Sequence, residues 1–95
     1  MENEKKEAAI QASRYAAGGR ECEAAGDLQR AEAEFSQAVR IHRELFEMTG
    51  EKTWLQALRE DYEQLADIHM QQGNMHGADH CYVLSMDCRG RIQEE

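Results

Sequence analysis

Residues 25–39, with the sequence AGDLQRAEAEFSQAV, decide the fold of this chain. Gly26 can adopt the left-handed backbone conformation that closes a helix, and the side-chain oxygen of Asp27 can cap the helix that follows. The apolar residues after this turn recur every three or four positions and therefore share one helical face: Leu28, Ala31, Phe35 and Ala38. The stretch predicts a helix, a tight turn and a second, amphipathic helix.

The same pattern occurs a second time, 47 residues further along the chain, where Gly73-Asn74 corresponds to Gly26-Asp27. The residues that follow also match in type and spacing, with Ala78, Tyr82 and Ser85 in the places of Ala31, Phe35 and Ala38. Small residues let paired helices approach, and the aromatic ring fills the space between them. The sequence therefore predicts one helical hairpin used twice.

The composition favours an all-α fold. Of the 95 residues, 41% are hydrophobic and 32% are charged, and no proline interrupts a helix. We expect a single domain over residues 1–95, made of two antiparallel helix-turn-helix hairpins with about four helices in all. The first repeat covers about residues 12–45 and the second about 59–92, and the charged residues 1–7 are expected to fray.

Other local signals set the ends and the contacts of the helices. Gly18 and Gly19 lie inside the first helix, where each costs on the order of 1 kcal/mol relative to alanine, so we expect a neighbouring helix to pack unusually close there. Thr49-Gly50 is a stop signal for the second helix, and Thr53 is a possible N-cap of the third. In the fourth helix the spacing predicts that Met75, Tyr82 and either Ser85 or Met86 face inward.

The repeated unit resembles the tetratricopeptide repeat, a helix-turn-helix module with small and aromatic residues at these positions. The resemblance implies right-handed stacking of the two hairpins and a concave groove, lined by the first helix of each repeat, that binds another protein. The family's unit is about 34 residues long, so the 47-residue spacing here predicts longer second and third helices. Arg43 and Gly90 stand where the family has its closing proline.

The resemblance also assigns four groove-facing positions in each repeat: Ser13, Ala16, Arg20 and Glu23, then Glu60, Glu63, Asp67 and Met70. The second half of this groove is acidic, which disfavours a carboxylate ligand and favours a basic or apolar peptide or amphipathic helix. The same carboxylates are also consistent with a solvated helix face. We expect a non-catalytic adaptor or small chaperone that binds a partner protein.

Charge and cysteine content indicate which ligands and which cellular compartment suit the protein. A formal net charge of −8 argues against binding to nucleic acid or to an anionic membrane surface. No apolar run is long enough to span a bilayer, and the charged start lacks the apolar core of a secretory signal. Three cysteines without a paired motif suit reduced thiols in the cytoplasm. The ends at Met1 and Glu95 favour a complete small protein over a fragment of a longer repeat array.

The sequence does not suggest an enzyme or a cofactor. It contains no glycine-rich phosphate loop and no arrangement of nucleophile, base and acid. His76 and His80 stand one helical turn apart beside Cys81, which offers the alternative of a metal-responsive protein. A closed zinc site needs four ligands, so the leading interpretation has no metal site. His42, among apolar neighbours, favours packing over phosphotransfer.

Self-association is the remaining alternative. An array of two repeats without a capping helix leaves a flank that a second copy of the chain could cover. The candidate residues for such a homodimer contact are Trp54, Leu58, Tyr82 or Met86.

Overall fold

The computed structural model describes residues 2–94, and over this range the chain is all-α. Its four helices are α1 (Glu2–Ala24), α2 (Leu28–Thr49), α3 (Lys52–Gln71) and α4 (Met75–Ile92). The predicted fold class is confirmed, and α2 and α3 are long, with 22 and 20 residues. Residues 2–7 are helical in the structure, and their fraying stays a prediction.

The two hairpin turns have the same geometry. Gly26 and Gly73 adopt left-handed conformations with φ of 81° and 77°. In the first turn, Asp27 Oδ1 accepts the backbone N–H three residues further on at 3.3 Å, and Asn74 Oδ1 does the same at 3.0 Å in the second. Both helices that follow are therefore capped by a side chain, as the sequence predicts for Asp27.

The junction between the hairpins is built differently. Gly50 ends α2 with φ of 68°, and its N–H donates to the carbonyl of Phe46 at 2.8 Å. The N-cap of α3 is Glu51, whose side chain makes no capping hydrogen bond, so the prediction of Thr53 as N-cap is wrong. The hydroxyl of Thr49 accepts the N–H of Glu51 at 3.1 Å and so fixes the backbone just before α3.

Each helix packs mainly against its neighbours along the chain, α1 on α2, α2 on α3 and α3 on α4. The result is a flat slab whose Cα extents are 39 × 28 × 14 Å. The residues that line the surface grooves place α1 and α3 along one side of the slab and α2 and α4 along the other. The handedness of the stacking stays a prediction.

The glycines of α1 mark the closest helix approach. The helix continues through both of them, and a Cβ atom added to Gly19 would lie 2.6 Å from the ring of Phe35. At Gly18 an added Cβ would meet the end of the flexible Glu34 side chain at 3.1 Å. The predicted close packing is confirmed, and Gly19 is the residue that permits it.

The buried face of α4 differs from the prediction. Met75 and Tyr82 are exposed, at 54% and 38%, although the spacing predicts that they face inward. Of the two alternatives Ser85 and Met86, Ser85 is buried and Met86 is 67% exposed. The buried residues of α4 are smaller: Ala78, Cys81, Ser85 and Cys88. Only α3 packs closely against α4, so the small residues make that contact and the larger ones lie on the open side.

The middle helix α3 is buried on two sides. Because α2 and α4 pack against it from different directions, Leu55, Asp61 and Ile68 are buried as well as Leu58 and Tyr62. Within residues 2–94, none of the helices combines the length and the apolar character that a membrane crossing requires.

Candidate functional site

The parallel first helices of the two hairpins, α1 and α3, flank a groove on one side of the slab. The floor of the groove belongs to α2, which contributes Phe35 and His42. The groove has a volume of about 520 Å³ and is open to solvent. It is therefore a surface on which an extended or helical segment of another protein could lie, and not an enclosed chamber.

Five of the eight sequence-predicted groove residues line this groove together: Ser13, Ala16 and Arg20 from α1, and Glu60 and Glu63 from α3. The residues from α1 and those from α3 are far apart in the sequence. They meet in the groove because they occupy equivalent positions in the two hairpins. The structure thus assembles the central part of the predicted surface.

The other three predicted residues lie beyond this lining. Glu23 accepts a hydrogen bond from the side-chain amide of Gln71 at 2.8 Å, which ties the last turns of α1 and α3 together. Asp67 and Met70 lie on the side of α3 that meets α4, where Tyr82 contacts both of them, at 3.4 and 3.5 Å.

Neighbouring side chains of the protein partly neutralise the carboxylates on the α3 side of the groove. Arg59 donates to both carboxylate oxygens of Glu63 at 2.8 and 2.9 Å, and the hydroxyl of Ser85 donates to the same carboxylate at 3.3 Å. Glu60 is held less tightly, because its carboxylate lies 4.0 Å from Arg59 and its side chain is 63% exposed. Of the two predicted carboxylates in the groove, Glu60 is the one whose charge a partner can meet.

A buried ionisable pair forms the floor beside these residues. Nδ1 of His42, on α2, lies 2.6 Å from Oδ2 of Asp61, on α3, and both side chains are buried. Burial raises the pKa of the Asp61 carboxyl above its ordinary value, and the contact with His42 lowers it in part. The pair joins the two hairpins across the junction at Gly50.

Trp54 covers this pair. Its ring stacks on the His42 ring with centroids 5.9 Å apart and an angle of 22° between the planes. Its Nε1 is buried and has no hydrogen-bond partner in residues 2–94. Asp61 is the residue that the sequence reasoning missed, although its position three residues after Leu58 and four before Leu65 places it on the apolar face of α3.

The alternative metal residues are not brought together. His76 and His80 are exposed on α4, whereas Cys81 is buried in the core. Within residues 2–94, no three histidine, cysteine or acidic side chains form a group that could hold a metal ion. Burial raises the pKa of the Cys81 and Cys88 thiols, which keeps them protonated near neutral pH, consistent with the predicted role in core filling.

The four residues predicted for a homodimer interface do not form one surface. Leu58 is buried in the core, and Trp54 packs over His42 on the other side of the slab. Only Tyr82 and Met86 remain together on the exposed side of α4, with Val83 beside them. Leu58 is therefore wrong as an interface residue because it is buried, and self-association through Tyr82 or Met86 stays a prediction.

Comparisons with protein-family models, with curated proteins and with solved structures found no match for this chain.

Proposed function

We propose that this protein is a non-catalytic protein-binding module, and that a peptide or helix of its partner lies in the groove between α1 and α3. The observation that carries the proposal is the convergence of Ser13, Ala16, Arg20, Glu60 and Glu63, from two distant stretches, on one open groove. Binding of this kind requires shape and charge, and no reacting group.

The charge of the groove favours a basic or apolar segment. Three carboxyl groups line it, those of Glu60, Asp61 and Glu63, against the single guanidinium of Arg20. Glu63 and Asp61 already have partners, so the exposed Glu60 supplies the charge most accessible to a ligand. A Lys or Arg side chain opposite Glu60 would gain a charge-assisted hydrogen bond, and Ala16 and Ala57 leave room for an apolar side chain beside it.

The two hairpin turns support the relation to tetratricopeptide-like binding modules. Both turns combine a left-handed glycine with a side-chain cap, and the same positions then carry Ala31 and Ala78 in the buried contact of each hairpin. An adaptor or a small chaperone is the role that such a module would have. A cytoplasmic setting agrees with the three free cysteines.

Selection of binding peptides from a displayed random library tests the proposal. We expect the selected sequences to be rich in Lys or Arg with interspersed apolar residues. A selected peptide, made synthetically and labelled, should bind about tenfold more weakly to the Glu60→Lys variant in fluorescence anisotropy, because like charges then face each other across the groove.

Two further variants make the result specific to the groove. Glu21→Lys makes the same charge change on the exposed outer side of α1 and should leave binding unchanged. Ser13→Trp fills the groove without changing its charge and should weaken binding as well. Equal losses from Glu60→Lys and Glu21→Lys, or full binding to Ser13→Trp, would place the peptide elsewhere and overturn the proposal.

A further inference from the structure

The floor of the groove between α1 and α3 contains a carboxyl group that the protein itself satisfies only in part. Asp61 lines this groove, and its side chain is 6% exposed. Its Oδ2 atom lies 2.6 Å from Nδ1 of His42, whereas its Oδ1 atom has no hydrogen-bond partner within residues 2–94. An ionised carboxylate can accept about four hydrogen bonds, so this group can accept more than His42 supplies.

The free oxygen of Asp61 can be reached from the groove. Among residues 2–94, Trp54 Nε1 is the one side-chain polar atom that is fully buried without a hydrogen-bond partner. Asp61 Oδ1 also has no partner and is therefore not fully enclosed, and the open surface beside Asp61 is this groove. A hydrogen-bond donor of a bound molecule can reach Oδ1 without separating the helices.

The surroundings of Asp61 favour a cationic donor. Burial raises the pKa of its carboxyl group, and the contact with His42 lowers that pKa only in part. A further positive charge at hydrogen-bonding distance would stabilise the carboxylate, because the attraction offsets part of the cost of removing it from water. Arg20 lines the same groove but makes no ion pair with Asp61 in the described part of the chain, so this place is not taken.

The ion pairs of the groove leave an excess of carboxyl groups. Glu63 is neutralised by Arg59, which donates to both of its oxygens. Glu60 lies 4.0 Å from the same guanidinium and is 63% exposed, so its charge is only weakly compensated. Glu60 and Asp61 therefore stand against the single guanidinium of Arg20 among the lining residues.

A guanidinium group suits this place better than an ammonium group. It carries several N–H donors in a planar fork, and it is less strongly hydrated, so it loses less when it leaves water for the floor of a groove. The carboxyl groups of Glu60 and Asp61 offer acceptors for these donors from one helix. Ala16, Ala57 and Phe35 belong to the same lining and supply apolar surface for the methylene groups of an arginine side chain.

We propose that the partner's segment is anchored by one arginine side chain, which inserts between α1 and α3 and donates to Oδ1 of Asp61 and to the carboxylate of Glu60. This inference rests on the proposed function of the groove and names the anchoring residue of its ligand. Asp61 fixes where the arginine lies, and the exposed Glu60 adds charge at the rim of the groove. His42 holds the Asp61 side chain in place through the other carboxylate oxygen.

A small guanidinium compound tests the inference without a peptide. The probe is N-acetylarginine amide, and its control is N-acetylcitrulline amide, which has nearly the same shape but no charge. In NMR titrations the arginine probe should shift the backbone amide signals of Ala16 and Ala57 and saturate. The citrulline compound should bind about tenfold more weakly, because it cannot make charge-assisted hydrogen bonds. Asp61→Asn, which keeps the shape of the side chain, should weaken binding of the arginine probe by a similar factor.

Matched variants make the result specific to Asp61. Asp67→Asn makes the same change on the same helix, at an exposed position outside the lining of the groove, and should leave binding unchanged. Arg20→Gln should strengthen binding of the arginine probe, because Arg20 is close enough to lower the pKa of Asp61 and would repel a second guanidinium there. Circular dichroism checks that Asp61→Asn is folded. If it is not, the gain in Arg20→Gln and a loss in Glu60→Gln test the inference instead.

Failure of this inference differs from failure of the proposed function. If peptides selected from the library bind in the groove, but Asp61→Asn binds them as tightly as the wild-type protein, the groove has no arginine anchor and the inference is wrong. Equal binding of the arginine and citrulline probes, or equal losses in Asp61→Asn and Asp67→Asn, would overturn it as well. If Ser13→Trp leaves peptide binding intact, the proposed function itself is wrong.

Discussion

The two hairpins close with the same turn chemistry but bury the equivalent aromatic residue to very different degrees. In both, a left-handed glycine is followed by a side-chain cap, Asp27 in the first and Asn74 in the second. Phe35 of the first hairpin is 1% exposed, whereas Tyr82, its counterpart in the second, is 38% exposed. Identical local signals therefore produce different environments.

Position in the array explains the difference. Phe35 lies on α2, where α1 approaches it through Gly19 and α3 packs from the other side. Tyr82 lies on the terminal helix α4, which packs closely only against α3. A repeat at the end of an array keeps the turn and the small-residue contact, but part of its apolar face has no neighbouring helix.

The buried ionic pair shows the same asymmetry. His42 and Asp61 meet across the junction between the hairpins, and both are buried. The residues at their equivalent positions, Arg89 and Arg14, are exposed. Only an internal junction offers the enclosed site that such a pair occupies, and a two-hairpin chain has one such junction.

The largest expected effect on stability comes from replacing the aromatic residues Phe35 and Tyr82 by alanine, one at a time. Phe35→Ala should lower the free energy of unfolding by about 4 kcal/mol, because a fully buried ring is replaced by a cavity. Tyr82→Ala should cause a much smaller loss, since much of that side chain is already in contact with solvent. Urea unfolding followed by circular dichroism measures both, and similar losses would contradict the asymmetry between the hairpins.

The next effect concerns the junction. His42→Ala should lower the free energy of unfolding by about 3 kcal/mol at pH 7, because it leaves the Asp61 carboxylate buried without its partner. Arg89→Ala, at the equivalent position of the second hairpin, should change stability little because Arg89 is exposed. If both variants lose a similar amount of unfolding free energy, the loss in His42→Ala does not come from the contact with Asp61.

The loss caused by His42→Ala should also depend on pH. The folded-state pKa of Asp61 is already raised by burial, and without His42 it rises further. The folded state then binds the proton more tightly than the unfolded chain, so the loss should shrink as the pH falls from 7 through the raised pKa toward the model-peptide value of 3.8. Asp61→Asn in the same background should remove this pH dependence, and its persistence would assign it to another group.

The smallest effect tests what the hairpins share. Asp27→Ala and Asn74→Ala should each cost about 1 kcal/mol, since each removes the side-chain cap of a helix. Glu51→Ala is the matched control, because Glu51 is the N-cap residue of α3 but makes no side-chain capping bond. The free energy of unfolding should fall by a similar amount in Asp27→Ala and Asn74→Ala. If the two losses differ by more than the change caused by Glu51→Ala, the two turns are not equivalent.

The sequence by itself determined the features that depend on residues close together in the chain. The Gly26-Asp27 and Gly73-Asn74 turns follow from local backbone preferences. The two glycines inside α1 predicted a close helix approach, although not that Phe35 would be the contact. The resemblance to the tetratricopeptide repeat predicted that residues of α1 and α3 share one groove, and Arg20 and Glu60 are among the residues that line it.

Only the tertiary structure decided which side chains meet across helices. His42 and Asp61 are 19 residues apart, and Tyr62 orders Arg43 over the same separation. Periodicity shows which face a residue occupies but not what lies opposite that face. Asp61 is buried and Tyr82 is exposed because different numbers of helices pack around the two positions. That number depends on where each helix lies in the folded chain.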